Sequence, residues 1–106
     1  MNTEFSAAIT ALIVAIVDNY RQFTKNKDQI DEFLSQISVK HGKAYTKIII
    51  RGSVWGFIVN RETDKKFPKG TILKAASWAS PARNAARGNI LSNDFSWVQW
   101  TGPAYL

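Results

Sequence analysis

His41-Gly42-Lys43-Ala44-Tyr45-Thr46-Lys47-Ile48-Ile49-Ile50 is the stretch in which the pattern of this chain changes. Before it, apolar residues recur at helical spacing. After it, short runs rich in aromatic and β-branched residues alternate with turn residues. Tyr45–Ile50 reads as a strand, Arg51-Gly52-Ser53 as a turn or bulge, and Val54–Asn60 as a second strand. Gly56 leaves room there for a ligand or another backbone to approach. Trp55 and Phe57 fall on one face of that strand and Val54 and Ile58 on the other, so one of these faces is the main core face.

Working back from Gly42, the residues Ile30, Phe33, Leu34 and Ile37 form the stripe of a helix that Asp28 caps, with Asp31 and Glu32 in its first turn. Lys40 and His41 sit at its end, where cations are favoured, and Gly42 stops it. His41 is thereby explained as a helix-end residue. Earlier still, Phe5, Ile9, Leu12, Ile16, Tyr20 and Phe23 mark a first helix, capped by Asn2 or Thr3. Ala11–Val17 is apolar nearly all round, which predicts cover on more than one side, by the sheet and by a second copy of the chain. The run Phe5–Val17 is shorter than the about 20 residues a bilayer span requires. It also lacks the basic leader of a signal peptide, and no membrane partner is expected.

Working forward, Asn60–Pro68 is a polar hairpin loop, Thr71 to Lys74 or Ala75 a third strand, and Phe95–Trp100 a last one. Thr101-Gly102-Pro103 ends the regular structure, before an apolar tail of Ala104, Tyr105 and Leu106. Between the third and last strands, Ser80 suits an N-cap, Pro81 a first helical position and Gly88 a helix stop. They predict a short helix of roughly two turns, rising about 1.5 Å per residue. The expected fold is α+β: two N-terminal helices, then an antiparallel sheet of about four strands with a short helix inserted before the last. All 106 residues suit a single domain, with 1–42 helical and suited to oligomerisation and 43–106 basic, sheet-rich and ligand-binding.

The charge is unevenly placed. Residues 1–42 hold four basic and five acidic groups, whereas 43–106 hold ten and three. A basic second half points to an anionic partner, either a small phosphate-bearing nucleotide or nucleic acid. With no cysteine, disulfides and thiolate metal sites are excluded and a reducing cytoplasm is the natural setting. One histidine and eight carboxylates supply little for a metal site or an acid/base pair, so no catalytic residue, metal or cofactor is expected.

Within the expected short helix, Arg83 and Arg87 lie one turn apart on one face. Two guanidinium forks can bind one phosphate or two neighbouring ones. No acidic residue occurs between Asp64 and Asp94, which leaves these arginines without a local ion-pair partner. The bland alternative is a pair of solvated arginines. Asn84 and Asn89 could read a base edge or ribose hydroxyl, although Asn89 after Gly88 is also ordinary turn chemistry. Trp78 and Phe57 could stack on a base, and Lys74 could meet a phosphate as a point charge. Lys65, Lys66 and Lys69 read as a solvated loop.

The stretch Gly52–Ile58, the opening stretch and the pattern Lys-Ala-Ala-Ser-Trp-x-x-Pro-Ala-Arg-Asn-x-Ala-Arg-Gly-Asn over 74–89, with the tail Trp100-Thr101-Gly102-Pro103, resemble a large group of small phage-encoded proteins. Some of that group look like the Thoeris anti-defence family of signal sponges. That resemblance implies a helical N-terminal part, a sheet, and dimers or larger homo-oligomers. It further implies sequestration, without cleavage, of a cyclic ADP-ribose-type messenger in the infected bacterial cytoplasm. Phe57 would be the stacking aromatic and Arg83 and Arg87 the clamp.

Overall fold

The computed structural model describes residues 3–104, so Asn2 as a cap and Tyr105 and Leu106 of the tail lie outside the described residues. Helix α1 spans Thr3–Phe23 and buries Phe5, Ile9, Leu12, Ile16, Val17 and Tyr20. A fully buried side chain of this kind contributes about 1.5–3 kcal/mol. The helix is longer than its apolar run. By length and composition it matches a membrane-crossing helix, with a mean hydropathy of 1.2. Its buried stripe nevertheless packs on the sheet in the core.

Helix α2 covers only Lys27–Ser35, and its N-cap is Asn26, whose side chain accepts from the Gln29 N–H. The helix does not continue to His41. Ile37–His41 is instead strand β1, paired antiparallel with β2 (Tyr45–Ile50) in the register Ile37↔Ile50 through His41↔Thr46. Ile37 and Val39 are β-branched, and a neighbouring strand offers them a better fit than another helical turn. His41 is therefore a strand residue, and its Nδ1 meets Thr46 Oγ1 at 2.9 Å.

Strand β3 is Ser53–Val59 and β4 is Ile72–Leu73, which completes an antiparallel sheet of order β1-β2-β3-β4. Arg51 and Gly52 both have positive φ, 54° and 78°, the signature of a tight two-residue hairpin turn. One register shift matters more than any other. Ile48 pairs with Gly56 but Ile49 pairs with Val54, which leaves Trp55 as a bulged residue. The bulge reverses parity, so Trp55 and Phe57 do not share a face. Trp55 and Ile58 join the core under the helices, whereas Phe57 and Val54 join a second cluster with Val59, Phe67 and Leu73. Both faces of β3 are buried from Trp55 to Val59, whereas the face of β1 and β2 away from the helices is more open.

The expected helix over Ser80–Gly88 is absent, and the segment is irregular. Its backbone pairs with the free edge of β4. The Ala82 N–H donates to Lys74 O at 2.7 Å, Arg87 N–H to Ile72 O at 2.8 Å, and Ile72 N–H to Gly88 O at 2.9 Å. Groups bonded across to a strand cannot also form an intrahelical ladder. A 3₁₀ turn follows at Ile90–Ser92, capped by Asn89. The expected last strand does not join the sheet either. Val98–Gln99 (β5) pairs with Gly102–Pro103 (β6) as a separate ribbon. That ribbon closes one end of the core: the Trp100 N–H donates to Asn19 Oδ1 at 2.9 Å, and the Trp55 indole donates to Gln99 O at 2.7 Å.

Candidate functional site

The two arginines expected to act together have separate tasks. Arg83 is bonded twice to Asp64, at 2.9 Å through each of its terminal nitrogens, and donates to the Tyr45 hydroxyl at 2.6 Å. Its guanidinium also lies over the Phe67 ring, 5.1 Å from the centroid. The ion-pair partner lies 19 positions back and is invisible to a local reading. Asp64 in turn accepts from the backbone N–H groups of Lys66 and Phe67, which shapes the 60–68 loop. The Arg83 hydrogen bonds and these two N–H groups hold the Asp64 carboxyl far below the usual carboxylate range. The same pairing with Asp64 raises the Arg83 pKa further.

Arg87 is only 3% exposed. It donates from Nε to Ala104 O and from a terminal nitrogen to Ala85 O, at 3.1 and 2.6 Å. Lys74 donates to Pro103 O at 2.6 Å, and burial, reinforced by the nearby Arg87 charge, lowers its pKa. Asn89 accepts from the Leu91 N–H and donates to Lys69 O, the turn role anticipated for it. Asn84 is exposed. Phe57 is 2% exposed and meets Tyr45 edge to face at 5.9 Å, so its ring faces are largely covered. Of the expected residues, Trp78 alone presents a large open surface, with 54% of it exposed.

Trp78 stands beside a different candidate site. The Lys47 ammonium lies 4.2 Å from its ring centroid and 5.7 Å from that of Phe57. Lys47 stands directly opposite Lys40 in the β1–β2 pairing. Cross-strand partners bring their Cβ atoms within about 4.5–5.5 Å, and like charges there oppose each other. Lys43, from the intervening turn, is the third cation. These three, with Tyr45, Phe57 and Ala79, line an open cleft of about 230 Å³ on the sheet face opposite the helices. Among the described residues, none of the three lysines is ion-paired with a carboxylate. A second hollow of about 280 Å³ lies toward the Arg51–Gly52 turn and is lined by Ser53, Val54, Ser77 and Trp78. It carries no charged side chain.

The turn that carries Lys43 is braced from below. Asn60 Nδ2 donates to Gly42 O at 2.9 Å and to Thr46 Oγ1 at 3.1 Å. The Gly42 N–H also donates to Tyr45 O at 2.9 Å. Arg83 holds the Tyr45 hydroxyl, so it supports the cleft wall as a positioning residue. At the helix end expected from sequence, Lys40 stands apart from Lys47; the strand Ile37–His41 brings the two together. The alternation Ile37-Ser38-Val39-Lys40 set against Lys47-Ile48-Ile49-Ile50 is the signal that would have found them.

No curated protein and no solved structure matches this chain. The chain belongs to the family of unknown function DUF7717, whose profile matches residues 2–106.

Proposed function

We propose that this chain binds and holds a small phosphate-bearing nucleotide without cleaving it, at the cleft beside Trp78. The observation that carries the reading is the Lys40–Lys47 pair, two like charges set opposite one another beside Lys43, with no carboxylate among the described residues paired to them. An anion seated between them turns a repulsive arrangement into an attractive one. The phosphate belongs with these lysines, and the base on the open ring of Trp78 above the uncharged hollow. The resemblance to phage anti-defence sponges supports a cyclic messenger, of cyclic ADP-ribose or cyclic oligonucleotide type, as the ligand. It also supports the infected bacterial cytoplasm as the place of action. In this reading Arg83 acts through Tyr45 and Phe57 forms the floor.

A second reading, a protein for single-stranded DNA or RNA, is favoured by the openness of the lysine face and by the exposed indole. Calorimetric titration with cyclic ADP-ribose isomers, cyclic dinucleotides and oligothymidylate, repeated as salt rises, separates the two. A small nucleotide loses affinity modestly. A polynucleotide loses it with a slope of about −0.7 per phosphate neutralised. Lys47→Glu and Trp78→Ala are expected to abolish binding in chains that remain folded. Binding unchanged in both variants would sink the assignment.

A further inference from the structure

The outer face of α1 carries a pattern that the fold leaves uncovered. Opposite the buried stripe lie Glu4, Ala7, Ala11, Val14, Asp18 and Arg21, spaced alternately three and four apart. This is the spacing of a helix–helix seam. Val14 is 52% exposed and Leu34 of α2, beside it, 48% exposed. Ile13, Val14, Val17 and Leu34, together with Asp18 and Arg21, line a mainly apolar hollow of about 150 Å³ between the two helices.

We propose that a second copy of this chain covers this face, with the two α1 helices antiparallel about a two-fold axis between Leu12 and Ile13. The charges select both occupant and direction. In the antiparallel arrangement Val14 faces Ala11 of the second copy, Ala7 faces its Asp18, and Glu4 faces its Arg21. Each Arg21, already 2.8 Å from its own Asp18, then gains a second carboxylate. A parallel arrangement would instead set Glu4, Asp18 and Arg21 each against its like. The antiparallel helix dipoles also favour this direction. Ala7 and Ala11 let the backbones approach, and Val14 fills the space they leave. Because α1 covers the helix side of the sheet, the two lysine clefts stay on the outside of the dimer, each complete within its own chain. The dimer therefore stands or falls independently of the nucleotide reading.

The lack of native cysteine makes the register directly testable. Glu4→Cys and Arg21→Cys proteins are prepared separately, then mixed and oxidised. The mixture is expected to give a disulfide-linked heterodimer, and neither protein alone should cross-link with itself. Self-linking of Glu4→Cys without linking in the mixture would overturn the antiparallel register. Sedimentation velocity should show a concentration-dependent dimer for the parent chain and a monomer for Val14→Asp. Circular dichroism should be unchanged, since position 14 faces outward. A parent chain monomeric at every accessible concentration would overturn the proposal. So would a Val14→Asp dimer as tight as the parent, or uptake of the parent by phosphatidylglycerol vesicles through this face in place of dimerisation.

Discussion

Gly88 offers the sharpest test of how the 74–90 segment is built. Its φ is 113°, outside the range that side-chain-bearing residues occupy readily, and a Cβ placed there would lie 2.4 Å from the carbonyl oxygen of Asp94. That oxygen cannot simply withdraw, because it accepts from the Asn89 N–H at 3.2 Å. Gly88 O cannot move far either, since it accepts from the Ile72 N–H. Gly88→Ala thus combines backbone strain of about 1–2 kcal/mol with a clash of similar size, for a total of about 3 kcal/mol. Unfolding entropy of about 2.1 cal/mol/K per residue corresponds to about 0.22 kcal/mol/K for this chain, so Tm should fall by about 13 °C. The Asn variant discriminates between structures. At the left-handed residue closing a helix, Asn is well tolerated and even Ala costs only about 1 kcal/mol. In the observed geometry Asn meets the same carbonyl and should be as damaging as Ala. Thermal melts by circular dichroism decide the matter. A fall below about 5 °C for Ala, or an Asn variant clearly milder than Ala, would refute the reasoning.

Other outcomes follow from the same contacts. Asp64→Asn should destabilise the chain at neutral pH, because it breaks the paired bonds to Arg83. The deficit relative to the parent should narrow as pH falls below about 4, near the unfolded carboxylate value. The folded carboxyl has the lower pKa, so its contribution is full above that range and lost as pH falls toward the folded value; urea melts across pH 2–7 would show this. Arg87→Ala should cost about 2–3 kcal/mol by leaving the carbonyls of Ala85 and Ala104 without their donor, seen as a lower urea midpoint. Trp78→Ala, at an exposed ring, should leave stability within about 0.5 kcal/mol while removing nucleotide binding in calorimetry.

The parts of the fold legible in the sequence were those with local causes. The α1 stripe, the Arg51–Gly52 turn and the β2 and β3 strands each follow from spacing or turn chemistry within a few residues. The parts that misled have non-local causes. Ile30, Phe33, Leu34 and Ile37 keep helical spacing, but Ile37 is taken into a strand by Ile50 across the sheet. Trp55 alternates with Phe57 in sequence, but a one-residue bulge separates their faces. Ser80, Pro81 and Gly88 bear every local mark of a helix, yet the edge of β4 claims the backbone between them. Arg83 seemed unpaired only because Asp64 belongs to another loop. Of the expected ligand-binding residues, Trp78 was nameable as a stacking aromatic, whereas its exposure and its lysine neighbours required the fold and the β1–β2 register.

The distribution of the charges favours the proposed site. Most basic groups after Gly42 already have structural work. Arg83 and Arg61 share Asp64, at 2.9 and 3.6 Å. Arg87, Lys74 and Lys66 donate to backbone carbonyls. Arg51 donates to Gln36 and lies over the Phe33 ring. Lys69 sits over Phe5 and Lys65 in an exposed loop. Lys43 remains, with Lys47, which sits over the Trp78 and Phe57 rings of the cleft itself, and β1 adds Lys40 beside them. A basic excess spread along the sequence is thus reduced by folding to one concentrated patch, and the one widely exposed tryptophan stands at its edge. Scattered solvating charge would have no reason to place Lys40 and Lys47 in direct opposition, where each raises the cost of the other. Neutralising one should then relieve its neighbour: Lys40→Gln is expected to raise stability slightly in the free chain and to weaken nucleotide binding. Urea melts and calorimetry on one preparation would show the two effects with opposite signs. If stability and binding fell together, Lys40 would be holding the sheet and not a ligand.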